Sequence, residues 1–217
     1  MDPMDRYIVD NMTAEESLLS ELVRETHLKV VQPRMLSGHI QGRLLTLLTR
    51  MVRPKRVLEI GTFTGYSGLC IAAGLEDDAK LYTVEVDDEL EAFAAGFFAR
   101  SEHGAKIEQC VGSALDVAPA LGETFDLVFM DGDKREYPAY MAMLMGDLDS
   151  AAKPLVKSGS IIIADNILWS GKVIEPLQKN DKHTAALLDF NKSVAEDSRL
   201  ENAILPLRDG LNIIRVK

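Results

Sequence analysis

The chain has 217 residues, 47% hydrophobic and 27% charged, which suits one folded domain with a sizeable core and excludes a disordered or low-complexity protein. Its net charge of -10 argues against a phosphate-binding surface, so no nucleic-acid partner is expected. The apolar runs fall short of the roughly 20 residues that span a bilayer, and MDPMDRYIVD lacks a signal peptide's basic and apolar regions, so a cytoplasmic protein with no membrane partner is expected.

Thr13 and Glu16 have capping-box spacing ahead of ESLLSELV, where Leu18, Leu19, Leu22 and Val23 share one helical face; this predicts a first helix. A second runs from about Ser37 through Leu44, Leu45, Leu48 and Val52, limited by Pro54. RVLEI, KLYTVEV, KIEQCV, FDLVFM and SIIIAD then read as buried strands, separated by helical segments such as ELEAFAAGFFARSE and PAYMAMLMGDL. This alternation predicts an α/β fold with a doubly wound parallel sheet. AILPLRDGLNIIRV is two apolar runs around Asp209-Gly210, a hairpin signal, so the last strand is expected to run antiparallel to its neighbours. Cys70 and Cys110 stand outside any CxxC pattern and are expected to be small core residues rather than a disulfide or a zinc site.

Ligands of such sheets bind at the carboxyl ends of the strands. The first end, VLEIGTFTGYSG, is a glycine turn between strand and helix, where the backbone can approach a ligand closely and the helix offers free N–H groups. Its G-x-x-x-G-x-x-G spacing is not the dinucleotide G-x-G-x-x-G, and Glu59 precedes the first glycine, which disfavours NAD. The second strand ends at Glu85, 24 residues after Gly61, where an acid can hydrogen-bond a ribose diol. The fourth ends in Met130-Asp131-Gly132-Asp133-Lys134 and the fifth in Ala164-Asp165-Asn166. If these two strands are adjacent, Asp131, Asp165 and Asn166 meet as two carboxylates and an amide, hard oxygen ligands suited to Mg²⁺ or a similar ion, with Lys134 at the edge. The plainer alternative makes Asp131 a helix N-cap and Asp165-Asn166 turn formers.

Taken together, QPRMLSGHIQGRLL, LEIGTFTGYS, FMDGDK, ADNILWSGKV, DFNKSVAED and LPLRDGLNIIRVK resemble the metal-dependent class I O-methyltransferases of the caffeoyl-CoA and catechol O-methyltransferase-like group, over nearly the whole chain. The resemblance implies a single domain, with N-terminal helices over 1–53 and a Rossmann-like core over 54–217. It implies S-adenosylmethionine bound by Glu59, Gly61, Thr62 and Ser67, its ribose by Glu85, its adenine beside Ala114, and its methionine end approached from Ser37 and Asp131. It further implies a divalent cation, Mg²⁺ with Mn²⁺ or Ca²⁺ as substitutes, on Asp131, Asp165 and Asn166. Lys134 matches the catalytic base, Trp169 an aromatic residue beside the acceptor, and a homodimer is expected. The plant enzymes have DADK where this chain has DGDK, and Glu85 stands where they carry Asp.

The chemistry such a site must perform is deprotonation of a phenolic hydroxyl, whose pKa of about 10 leaves it protonated at neutral pH. A divalent ion binding both oxygens of a catechol favours its anion, and Lys134 takes the proton if it is itself neutral, which Asp133 is expected to oppose. The acceptor is contacted, by resemblance, from the N-terminal segment and SGKVIEPLQKNDKHT. Two alternatives are a nicotinamide-dependent oxidoreductase, which the glycine spacing disfavours, and a noncatalytic small-molecule-binding protein, which has no need of Lys134 beside a ligand set.

Overall fold

The computed structural model describes residues 2–147 and 152–217. RVLEI, KLYTVEV, KIEQCV, FDLVFM and SIIIAD form strands β1 (Arg56–Ile60), β2 (Lys80–Glu85), β3 (Ile107–Val111), β4 (Phe125–Met130) and β5 (Val156–Asp165). The closing hairpin forms β6 (Leu200–Leu205) and β7 (Leu211–Val216). They build one sheet in the order β3-β2-β1-β4-β5-β7-β6, with β1 to β5 parallel and β7 antiparallel to both β5 and β6, as the hairpin signal predicts.

Side chains alternate across a strand, so each strand feeds two cores. Leu58 and Ile60 of β1 lie under α6 (Ala114–Ala120), α7 (Tyr137–Met145) and α8 (Lys182–Glu196). Val57 faces the other way, with Leu45 of α3 (Gly38–Val52) and Ile71 of α4 (Tyr66–Ala72). A third cluster joins α4 to α2 (Ser17–Lys29) and α5 (Glu91–Phe98) through Leu22, Leu69 and Phe98. The order fixes the site: β4 lies between β1 and β5, with Met130 opposite Ile60 on one side and Ala164 on the other.

The N-terminal expectation needs correction. The chain opens with an additional helix, α1 (Pro3–Asp10), capped by Asp2 Oδ1, which accepts from the Met4 and Asp5 amides, with Pro3 at its first position. No capping box forms at Thr13, because α2 starts at Ser17 without a side-chain cap. The carbonyls of Thr13 and Ala14 instead accept from His39 and Arg43, which pins this segment to α3. Cys70 is buried as expected, but Cys110 is only partly so, because β3 is the sheet edge rather than a buried strand. The helix in PAYMAMLMGDL ends at Met145; Leu148 lies outside the described residues. Among the described residues no helix is long and apolar enough to cross a membrane.

Candidate active site

The carboxyl ends of β1, β2, β4 and β5 open into a cavity of about 1320 Å³. Ser37, Gly61, Thr62, Ser67, Glu85 and Ala114 line it, as do Asp131, Lys134, Asp165, Asn166 and Trp169. Of the residues expected here, Glu59 alone is set behind the surface: it is fully buried on the α4 side of β1.

The glycine turn does more than expose backbone. Gly61 has φ +99°, and a Cβ there would lie 2.6 Å from the carbonyl oxygen of Asp131, so the bare backbone lets the ends of β1 and β4 close on each other. Gly65, at φ +92°, leaves the space that the Phe98 ring occupies. Behind the turn, Thr83 donates to Glu59 Oε2 at 2.6 Å and therefore accepts from Thr62 at 2.6 Å, a buried chain that fixes the Thr62 hydroxyl.

Burial pushes the Glu59 carboxyl up to about 7, against the hydrogen bond from Thr83. A raised carboxyl favours the protonated native state, so its stabilisation is complete below pH 4.5 and disappears as pH rises to about 7. The window is worth about 3 kcal/mol at about 1.4 kcal/mol per unit. Glu59→Gln should therefore gain stability relative to the wild type over that range, read as the pH dependence of the urea midpoint for both proteins. A difference that stays constant with pH would mean that Glu59 titrates as an ordinary carboxyl.

Glu85 is prearranged by backbone. Its Oε2 accepts from the Phe63 amide at 2.7 Å and its Oε1 from those of Val86 and Asp87, which ties the end of β2 to the glycine turn.

The two carboxylates and the amine after β4 divide their tasks. Lys134, 7% exposed, donates to Asp131 Oδ1 at 2.7 Å and to Tyr137 Oη at 2.8 Å. Asp133 instead caps the 3₁₀ turn Lys134–Glu136 and pairs with Arg135. The plainer alternative, Asp131 as a helix N-cap, does not form: the cap is Asp133, and the carboxylate that accepts from the amine is Asp131. Burial drives the Tyr137 phenol well above its usual pKa.

Asp165 is 3% exposed. Its Oδ2 accepts from Gln41 Nε2 of α3 at 2.5 Å and its Oδ1 from the Asn166 amide at 2.7 Å, with Asn166 in the left-handed region at φ +57°. Burial, and then the charge of Asp131, push its carboxyl up. A buried carboxylate, Asp165, and a partly buried one, Asp131, with an amide alongside, suit a hard cation in donor chemistry. Among the described residues, no group of three or more His, Cys, Asp or Glu side chains is placed to hold a metal.

Trp169 stacks on His183 of α8 at the rim, ring centroids 5.6 Å apart, and both line the cavity. Gly132 has a role that composition did not reveal: a Cβ there would sit 3.0 Å from Tyr140 Oη and 3.1 Å from Ile60 Cγ2. The glycine of DGDK thus gives Tyr140, which donates to Glu136, its place at the wall. Gln41, Tyr137, Tyr140 and His183 escape sequence reading because each looks like an ordinary helix residue. Only the i+3 spacing of Tyr137 from Lys134 is a signal, and a weak one.

A family model described as O-methyltransferase matches residues 9–217. Caffeoyl-CoA O-methyltransferase of Petroselinum crispum is 31% identical, the match covering 99% of this chain and 90% of that protein. The O-methyltransferase TomG from Streptomyces achromogenes, solved in complex with SAM, superposes with a TM-score of 0.88 at 28% identity, covering 100% of this chain and 96% of its own. An O-methyltransferase from Bacillus cereus in complex with SAH gives 0.88 at 27% identity, covering 99% and 97%.

Proposed function

The chain belongs to the O-methyltransferase family, and on that premise we propose that it moves the methyl group of S-adenosylmethionine to a hydroxyl of a catechol-type small molecule, such as a hydroxycinnamoyl thioester, a flavonoid or a simple catechol. The observation that carries this reading is the meeting, in one cavity, of the Gly61–Ser67 turn with Glu85, the carboxylates Asp131 and Asp165, and the Lys134 amine. When bound, the cofactor supplies an activated methyl group and a divalent cation, Mg²⁺, Mn²⁺ or Ca²⁺, supplies Lewis acidity to the acceptor oxygens.

The chain's residues do the remainder. Glu85 accepts from the ribose hydroxyls, Ala114 packs against adenine, Ser37 and Asp131 approach the methionine end, and Thr62 and Ser67 line the turn beside it. Asp131, Asp165 and Asn166 would hold the cation, and Gln41, which donates to Asp165 Oδ2, fixes that carboxylate in place. The acceptor's O–H bond breaks, its proton passes to Lys134 Nζ, and the oxygen takes the methyl as the S–CH₃ bond breaks, leaving neutral S-adenosylhomocysteine. Trp169, braced by His183, is the wall for the acceptor ring. By the same family resemblance we read the protein as a cytoplasmic homodimer, which sedimentation of the full chain tests for its oligomeric state.

The test is a methyl-transfer screen over catechols, hydroxycinnamoyl thioesters and flavonoids with several divalent ions, beside a thermal-shift comparison of S-adenosylhomocysteine with NAD. Catechols should turn over and their monohydroxy counterparts should not, because a single hydroxyl offers a cation one oxygen. Equal turnover of the two removes the bidentate reading, and stabilisation by NAD alone removes the methyltransferase reading. Glu85→Ala is expected to weaken S-adenosylhomocysteine binding by roughly 1.5–3 kcal/mol, the usual range for a hydrogen bond to a charged group. Unchanged affinity by calorimetry would take Glu85 out of the cofactor site.

A further inference from the structure

We propose that Tyr137 is a positioning residue for the transfer step: its phenol oxygen, with Asp131 Oδ1, fixes the two hydrogen-bonded directions of the Lys134 amine and so aims the remaining one into the cavity. The inference rests on the reading of Lys134 as base.

Three contacts converge on this oxygen. It lies 2.8 Å from Lys134 Nζ, 2.9 Å from the Met130 carbonyl and 2.9 Å from the Asp165 carbonyl. The carbonyls only accept, so the single phenolic hydrogen is spent on them and the oxygen must accept from Lys134. Those carbonyls belong to the last residues of β4 and β5, the strands that deliver Asp131 and Asp165. Tyr137 therefore refers the amine to the same two strand ends as the carboxylates. The ring cannot drift: it is fully buried and packs edge-on against Phe190, centroids 5.3 Å apart.

Such a brace matters because lysine carries its amine on a flexible four-carbon stem. The amine nitrogen has three tetrahedral directions beyond its own carbon. Asp131 Oδ1 and Tyr137 Oη take two of them by hydrogen bond, so the third is left for the cavity that Lys134 lines. Without the phenol oxygen the amine rotates about a single tether on Asp131, and that third direction meets the acceptor hydroxyl in only a fraction of encounters.

The experiment combines Tyr137→Phe, which keeps the ring and deletes its oxygen, with Lys134→Met in a double-mutant cycle. Single-turnover methyl transfer, KM for both substrates, and affinities for S-adenosylhomocysteine and Mn²⁺ are measured in all four proteins. Tyr137→Phe should lower the rate by about 10–100-fold with KM and both affinities within about twofold, and should change the rate less than about twofold in the Lys134→Met background. A wild-type rate for Tyr137→Phe, or an equal loss in both backgrounds, overturns the proposal. If Lys134→Met itself keeps the wild-type rate, the base reading fails first, a result distinct from a slow Lys134→Met beside an unaffected Tyr137→Phe. Should the phenylalanine variant not fold, Tyr137→Met, whose unbranched side chain adapts to the space, runs the same cycle with the same expected outcome.

Discussion

Lys134→Met is expected to slow single-turnover methyl transfer by about 10²–10⁴-fold, the usual contribution of a general base, without weakening the binding of S-adenosylhomocysteine or a divalent cation. Methionine retains much of the apolar stem, which here is almost wholly buried, and removes only the group that can take a proton. It also removes the hydrogen bond to Asp131 Oδ1, so a cation gains access to that oxygen rather than losing a ligand. Lys134→Arg separates proton transfer from charge. A guanidinium can still pair with Asp131, yet it does not deprotonate in the accessible pH range, so the arginine variant should be nearly as slow as the methionine one. A wild-type rate for Lys134→Arg would make Lys134 a structural cation, and the identity of the base would then pass to another group at the cavity.

What sequence alone disclosed follows from how each residue is used. The strands are legible because a buried parallel sheet needs near-continuous apolar runs, and the ends of those runs put Gly61, Glu85, Asp131 and Asp165 at one edge of the sheet. Their grouping depended on β4 and β5 being neighbours, which local pattern suggests and only the sheet order establishes. The helix α1 was missed for the opposite reason: Met4 and Tyr7 are about two-thirds exposed, so there is no buried stripe for periodicity to detect, and its only marks are Asp2 and Pro3. The choice between Asp131 and Asp133 as the partner of Lys134 was likewise beyond local pattern. Both stand close to the lysine in the chain, and Arg135 decides the matter by taking Asp133. Gln41 reaches Asp165 across 124 positions, a contact that no short-range rule anticipates. Tyr137 illustrates the general difficulty, since its ring belongs to the core and its oxygen to the site.

Gly61→Ala is expected to cost about 2–6 kcal/mol of stability, the sum of an unfavourable backbone conformation and overpacking at about 1–3 kcal/mol each. At φ +99° an L side chain is strained whatever its surroundings. Its Cβ would also meet the Asp131 carbonyl oxygen at 2.6 Å, the Asp131 carbonyl carbon at 2.9 Å and the Gly132 nitrogen at 3.1 Å. All three are backbone atoms, so no rotamer change relieves the clash. Nor can the turn shift freely: the Gly61 amide donates to Val84 of β2 at 2.9 Å, and the Asp131 amide donates to Ile60 at 2.8 Å. The added methyl must therefore push the end of β4 away from β1, carrying Asp131 and Lys134 with it, so affinity for S-adenosylhomocysteine and turnover should fall along with stability. Gly96→Ala is the matched control. It lies in α5 with nothing within 4 Å of the new Cβ, so the same substitution there should leave stability unchanged or raise it by up to about 1 kcal/mol through helix propensity. Urea unfolding of both variants decides the point: if Gly61→Ala stays within about 1 kcal/mol of the wild type, a shift well inside the usual 5–15 kcal/mol of a domain, the close approach of β1 and β4 is not what organises this site.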